Sequence, residues 1–337
     1  MFTCNSRLAP AVLLCLVMAA ACTGEAPAPY AAVTIDLGLA QVDDAPVYFV
    51  VGQSGVPGTD NQGHTSNAGF VVTDEGVVVF DALGTPALGY RLLQAIRSVT
   101  DKPVRKIVIS HYHADHVYGL QAFVDHGGQP DVIAQQRSSA YSGGSTASQG
   151  EDAARRLAQR REALWPWVND ATRIVEPDIV FDEEYNFTLG GVGFEIRHMG
   201  PAHAPGDSVM LVREYGVLFS GDLVYKGRVP FLDSPSTDVF NWLSGLEWIA
   251  GLQPQPYIIP GHGEPADDTA ASVVVTKEYI DYLIDSMRPA VADFVPFDEA
   301  YAAIDWSRYA SMPAFAASNR GNAYRVYLEL EARSFAR

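Results

Sequence analysis

Apolar runs separated by short polar breaks fill most of the chain, and their spacing predicts its elements. Residues 47–51 and 69–73 read as strands, rich in β-branched and aromatic side chains. Residues 77–81 follow a Glu75-Gly76 turn and make a hairpin with the strand before it. The period then changes: Leu88, Leu92, Leu93, Ile96 and Val99 form the apolar stripe of a helix over 86–99 packed on a sheet. The run 104–110 reads as a buried strand, and 117–123 as the opening turns of a helix. A short strand follows at 132–134. A charged helix over 151–164 turns Leu157 and Leu164 inward. Strands recur at 192–198, 208–213, 216–220 and 257–260, and helices lie near 238–251, 270–286 and 322–334.

Length and composition fit this pattern. The chain has 337 residues, 48% of them hydrophobic, with no internal repeat and no long low-complexity linker, so one sizeable core is easily built. The beginning reads as targeting rather than fold. Arg7 precedes the hydrophobic run 11–18, too short to span a bilayer comfortably, and small residues Ala19-Ala20-Ala21 lead to Cys22. Residues 1–21 are therefore expected to be a signal peptide; Cys22 after the small residues resembles a bacterial lipoprotein cleavage box, although Ala19 stands where leucine is more usual, and would be the lipidated first residue, with ordinary signal cleavage nearby as the alternative. Residues 22–44 are expected to be a linker and first strand. The mature chain is expected in the periplasm, anchored to the membrane through the Cys22 lipid. Cys4 and Cys15 would leave with the leader, so no internal disulfide can form. The net charge of −17 makes the chain a poor partner for phosphate backbones, and no nucleic-acid binding is expected.

The chemistry concentrates in His111-Tyr112-His113-Ala114-Asp115-His116, between a predicted strand and a predicted helix. Imidazole nitrogen and carboxylate oxygen suit zinc and its neighbours. Residues 111 and 113 point the same way from an extended segment, and Asp115 and His116 can aim at a second ion. Four ligand-type residues in six positions are hard to read as an ordinary polar loop. His64, His126 and His198 are isolated and are expected at the surface or behind the site.

This H-x-H-x-D-H pattern resembles the metallo-β-lactamase superfamily. The resemblance extends in order through His203 in Gly-Pro-Ala-His-Ala-Pro-Gly-Asp, Asp222 in Phe-Ser-Gly-Asp, and His262 in Pro-Gly-His-Gly, over roughly residues 45 to 285. It implies an α/β (α+β) fold, the four-layer αββα sandwich, placed here over 45–286 with a C-terminal helical extension over 287–337. That extension is expected to serve packing or dimerisation. The resemblance also implies two Zn2+ per chain: His111, His113 and His203 on one, Asp115, His116 and His262 on the other, and Asp222 bridging. A shared hydroxide would attack a carbonyl carbon, with Asp115 orienting it. Tyr225, three residues after Asp222, matches the tyrosine that N-acyl homoserine lactonases place against a substrate carbonyl; a packed aromatic is the alternative. Lys226 and Arg228 are expected to be loop cations meeting water rather than a substrate.

In detail the motifs, with Asn319-Arg320-Gly321-Asn322-Ala323-Tyr324, are most similar to the SoxH-like, quinoprotein-relay zinc metallohydrolases. That implies a periplasmic hydrolase of a small ester, thioester or lactone, linked to a quinoprotein dehydrogenase system. A small-molecule carbonyl compound is the expected partner. A β-lactam hydrolase, a di-iron redox protein, and a non-catalytic accessory or binding protein of the same fold stand as alternatives. Histidine at 113 favours zinc over iron, since the oxygen-reducing di-iron relatives carry glutamate there. Trp165 and Trp167 either fill a surface groove or line a substrate lid.

Overall fold

The computed structural model describes Met1, residues 29–138, 147–232, Ser234 and residues 236–335. Cys22 and the rest of the expected leader lie outside the described residues. The first sheet runs in chain order: β1 (Ala40–Gln41), β2 (Val47–Val50), β3 (Ala68–Val72), β4 (Val77–Phe80), β5 (Val104–Val108), β6 (Asp131–Gln135) and β7 (Ile179–Phe181). Its pairs are antiparallel up to β4 and parallel from β4 to β7. The second sheet is ordered β12 (Tyr257–His262), β11 (Val217–Tyr225), β10 (Ser208–Val212), β9 (Val192–His198) and β8 (Glu184–Leu189). Within it only β11 and β12 are parallel.

Why the strands read as unbroken apolar runs is visible in β4. Val78 and Phe80 face the second sheet, whereas Val77 and Val79 face helices, so both faces are buried. Between the sheets, Phe80 stacks on Phe219 with ring centroids 5.1 Å apart. Helices α1 (Pro86–Val99) and α3 (Leu120–His126) cover the outer face of the first sheet with Leu88, Leu92, Ile96 and Phe123. The outer face of the second is covered by α5 (Val239–Ala250), α6 (Thr269–Ala292) and α8 (Phe315–Phe335), through Trp242, Ile280, Leu283 and Val326. Two sheets with helices outside are the expected αββα layering. Helix α1 spans the predicted residues, begun by Pro86 and by Thr85, whose hydroxyl accepts the Leu88 N–H at 3.1 Å.

Other boundaries differ for physical reasons. Strand β11 runs on to Tyr225 instead of ending at 220, through Gly221 with φ of +52° and two shifts of register against β12. Strand β8 went unpredicted although its residues alternate polar and apolar; it is an edge strand with every residue at least partly exposed. Helix α6 continues past Pro289, held by packing on its second-sheet face, and crosses residue 286 without a break. The segment 287–335 adds α7 (Phe297–Ala303) and α8, whose apolar residues join the core over the second sheet. Trp165 is exposed and Trp167 donates its indole N–H to the Ala32 carbonyl at 2.8 Å.

Candidate metal centre

Strand ends deliver the cluster. His111 and His113 follow β5, and Asp115 and His116 occupy the short helix α2 (Ala114–Val117). His203 comes from the β9–β10 loop, Asp222 from within β11, and His262 from the last position of β12. All seven predicted residues converge in two groups. His111, His113, His203 and Asp222 form one, Asp115, His116 and His262 the other, with ligand atoms of each group within 4.8 Å of one another.

Asp222 lies between the groups. Its Oδ2 is 3.3 Å from His203 Nε2 and 3.3 Å from His262 Nε2, and its Oδ1 is 3.2 Å from His116 Nε2. Asp115 Oδ2 is 3.6 Å from His262 Nε2.

The nitrogens are aimed by partners behind them. His203 Nδ1 donates to the Phe231 carbonyl at 2.8 Å, and His262 Nδ1 to the Thr65 carbonyl at 2.6 Å. His116 Nδ1 donates to Asp81 Oδ2 at 2.8 Å. Ser110 gives its hydroxyl proton to the same oxygen at 2.7 Å, so it accepts from His111 Nδ1 at 3.0 Å. With each Nδ1 protonated, the Nε2 lone pairs of the neutral rings turn inward. His203 Nε2 then faces His111 Nε2 at 3.2 Å and His113 Nδ1 at 2.8 Å. The first of these is a lone pair against a lone pair, an arrangement that wants a cation between.

Buried atoms without partners give the same answer. His116 Nε2 and Asp222 Oδ1 are buried and make no hydrogen bond among the described residues. Such orphans are rare in a protein interior and are expected where an ion binds. The set of five imidazoles and two carboxylates fits zinc, which takes nitrogen and oxygen ligands. The cluster is therefore a metal-binding group.

Electrostatics prepare these groups for ligation. Burial holds His111, His113 and His203 below the usual imidazole range, His113 at about 3, keeping them neutral. Burial would depress His116 too, but Asp222, Asp81 and Asp115 outweigh it and push that ring well above its usual range, so a bound ion would take the place of a proton on Nε2 among the same carboxylates. Burial would raise Asp222, yet His262, His116 and His111 pull it well below the ordinary carboxylate range. The site thus favours charged carboxylates beside nitrogen donors.

Tyr225 is buried, its ring stacks on His262 at 4.8 Å, and its hydroxyl donates to Asp222 Oδ2. The proton expected to face a substrate carbonyl is here given to the central carboxylate. Arg228 departs from the sequence expectation: it is 5% exposed and donates Nη1 to the Gly55 carbonyl at 2.6 Å. His64 is buried and held neutral, its pKa lowered to about 4 by burial. His126 is exposed and His198 half-buried.

Residues that sequence reasoning passed over complete the site. Asp81 ends the apolar run of β4, and a carboxylate there was the available signal. Asn322 lies in the quoted C-terminal motif, without an assigned role. It donates to the Pro230 carbonyl at 2.7 Å and accepts the Leu232 N–H at 2.8 Å, clamping the loop whose Phe231 carbonyl holds His203. Gly261 is needed for space: a Cβ there would lie 2.1 Å from Asp222 Oδ1 and 2.6 Å from the Gly221 carbonyl carbon. Gly261→Ala is expected to displace Asp222, lower metal content and cost about 1–3 kcal/mol in denaturant unfolding. Wild-type metal content and midpoint in that variant would refute the packing argument.

A cavity of about 460 Å³ opens over the cluster and exposes His113, Asp115, His203, Asp222 and His262 to it. Its volume suits a small molecule.

The family model described as Metallo-beta-lactamase superfamily matches residues 62–266. Among curated relatives, a linear primary-alkylsulfatase of a Pseudomonas species is 23% identical over 245 residues, covering 65% of this chain and 44% of that one. A hydroxyacylglutathione hydrolase of Haemophilus influenzae is 27% identical over 176 residues, covering 51% of this chain and 74% of that one. Among solved structures, the stereoselective inverting sec-alkylsulfatase Pisa1 from Pseudomonas sp. superposes with a TM-score of 0.66 at 19% identity, over 87% of this chain and 50% of that one. The chain thus spans half or less of the length of the alkylsulfatases it matches.

Proposed function

The chain belongs to the metallo-beta-lactamase superfamily and is a metallo-hydrolase, and on that premise we propose that it holds two zinc ions and hydrolyses a small ester, thioester or lactone. The observation that carries this reading is the position of Asp222 Oδ2, 3.3 Å from a nitrogen of each group and open to the cavity. His111, His113 and His203 would hold one ion, Asp115, His116 and His262 the other, and Asp222 both. Zinc bound there supplies a water of lowered pKa and polarises a carbonyl oxygen.

The chain's own groups position the reaction. Asp115 faces the cavity, and its main-chain carbonyl accepts the Ser66 hydroxyl at 2.5 Å. Its carboxylate Oδ2 accepts the Thr65 hydroxyl at 3.4 Å, and so held it would orient the attacking water. Tyr225 steadies the Asp222 carboxylate from the cavity side. Phe231, Val56 and Pro57 give the cavity apolar wall area against which a substrate body excludes water. A second reading, sulfate-ester cleavage, is supported by the alkylsulfatase similarity over 65% of the chain.

The test is a panel of carboxylic esters, thioesters, lactones, β-lactams and alkyl sulfates, assayed before chelation, after it, and after zinc is restored. Ester, thioester or lactone turnover is expected, lost on chelation and recovered with two zinc ions per chain by elemental analysis. Turnover that survives chelation, or iron as the dominant metal in the isolated protein, would refute the reading. Turnover of alkyl sulfates alone would replace it with the second.

A further inference from the structure

The cavity that opens on the cluster is also lined by cations, in a chain with 40 acidic residues against 23 Lys and Arg. Arg156 and Arg160 reach it from α4 (Ala147–Ala163), and Arg228 from the loop after β11. The acidic residues on the cavity lining are Asp115 and Asp222, both in the metal-binding cluster.

Neighbouring arginines on α4 have different work. Arg155 pairs with Asp152 at 2.7 Å, an exposed pair of adjacent turns. Arg161 donates to the Asn169 and Thr172 carbonyls at 2.9 and 3.0 Å and ties down the following loop. Arg156 and Arg160, one turn apart on the same face, are turned to the cavity.

Arg228 is a built cation. It is 5% exposed, its Nη1 and Nε donate to the Gly55 and Val229 carbonyls at 2.6 and 3.3 Å, and its guanidinium lies 5.7 Å from the Tyr225 ring. Those acceptors fix it without neutralising it, and no carboxylate pairs with it among the described residues. A buried cation without a counter-ion is costly and calls for an anion to complete it.

We propose that Arg156, Arg160 and Arg228 form an oxyanion seat that selects substrates carrying a carboxylate or sulfate group. This rests on the hydrolase reading for the same cavity, and it names the substrate class: a small ester with an anionic substituent and an apolar body. Guanidinium matches the geometry of either oxyanion through paired N–H donors.

The test uses the zinc-loaded full chain and a matched pair of substrates, the 4-nitrophenyl monoester of glutaric acid and 4-nitrophenyl pentanoate. The first carries a terminal carboxylate and the second does not. The wild-type chain is expected to favour the glutarate ester by about tenfold or more in kcat/KM. In the Arg156→Gln/Arg160→Gln double variant that ratio is expected to collapse about tenfold, mainly through KM. Glutamine is a good helix former, so α4 should persist in the variant, as circular dichroism would verify.

Calorimetric binding of hexyl sulfate, hexanoate and neutral hexanamide to wild type and variant gives a readout independent of turnover, and separates carboxylate from sulfate recognition. Arginine-dependent binding of either anion without ester turnover would sink the hydrolysis reading and leave the seat standing. Equal treatment of charged and neutral compounds by the wild type, or a charge preference that survives in the variant, would overturn the proposal.

Discussion

Asp222→Ala is expected to empty the metal-binding cluster while leaving the sandwich folded. Asp222 Oδ2 lies 3.3 Å from His203 Nε2 and 3.3 Å from His262 Nε2, so its loss strips an anionic ligand from both groups at once. Its side chain has no part in the β11 ladder; among the described residues its Oδ2 accepts from the Tyr225 hydroxyl. Strand β11 stays paired through its backbone with β10 and β12. Metal content should fall by both ions, and hydrolysis should drop well beyond the ~10–100-fold typical of losing a residue behind the ligands. Circular dichroism should be nearly unchanged. Two bound ions and wild-type turnover in Asp222→Ala would remove Asp222 from the centre.

Asp81→Asn should damage the centre from behind. Asp81 accepts three hydrogen bonds: Oδ1 from the Ser110 N–H at 2.8 Å, Oδ2 from the Ser110 hydroxyl at 2.7 Å and from His116 Nδ1 at 2.8 Å. An asparagine has a single oxygen acceptor. If its NH2 faces His116, that ring must move its proton to Nε2, where a ligand lone pair is needed. If the amide flips, the Ser110 N–H meets a donor instead. The backbone itself should tolerate the change, because residue 81 has φ of +59° and asparagine accepts that region well. Metal affinity is expected to fall about 10–100-fold, with one ion lost before the other. A chelator-competition titration would measure this, and two ions bound as tightly as in the wild type would refute the role given to Asp81.

Period and composition made the framework legible. The stripe over 86–99 gave α1 at its observed bounds, because its apolar spacing, Pro86 and Thr85 are local signals. The seven residues of the cluster were readable because each sits in a short motif next to an apolar run, and five of them are imidazoles in a chain with only eight histidines; Asp222, expected at a strand end, lies inside β11. Strand β8 was legible but overlooked: Glu184, Asn186 and Thr188 alternate with Tyr185, Phe187 and Leu189, in step with its alternating exposure. Helix α6 runs on to Ala292, beyond the expected 286 and through Pro289, because tertiary packing holds its last turn.

The sequence by itself determined which chemistry is present, because ligand type and strand register are local properties of a few adjacent residues. Only the tertiary structure decided what surrounds that chemistry. Arg155, Arg156, Arg160 and Arg161 look alike along a charged helix; Arg155 pairs locally with Asp152 one turn away, and the fold turns Arg156 and Arg160 to the cavity and ties Arg161 to a loop. Arg228 read as a solvated loop cation and is buried, because the β2–β3 loop comes across from far away in the chain to cap it at Gly55. Asn322 lies 92 residues from the Pro230 carbonyl it holds. Which side of a helix faces a cavity, and which carbonyl meets an imidazole, depend on contacts between segments remote in sequence, and local periodicity carries no information about those.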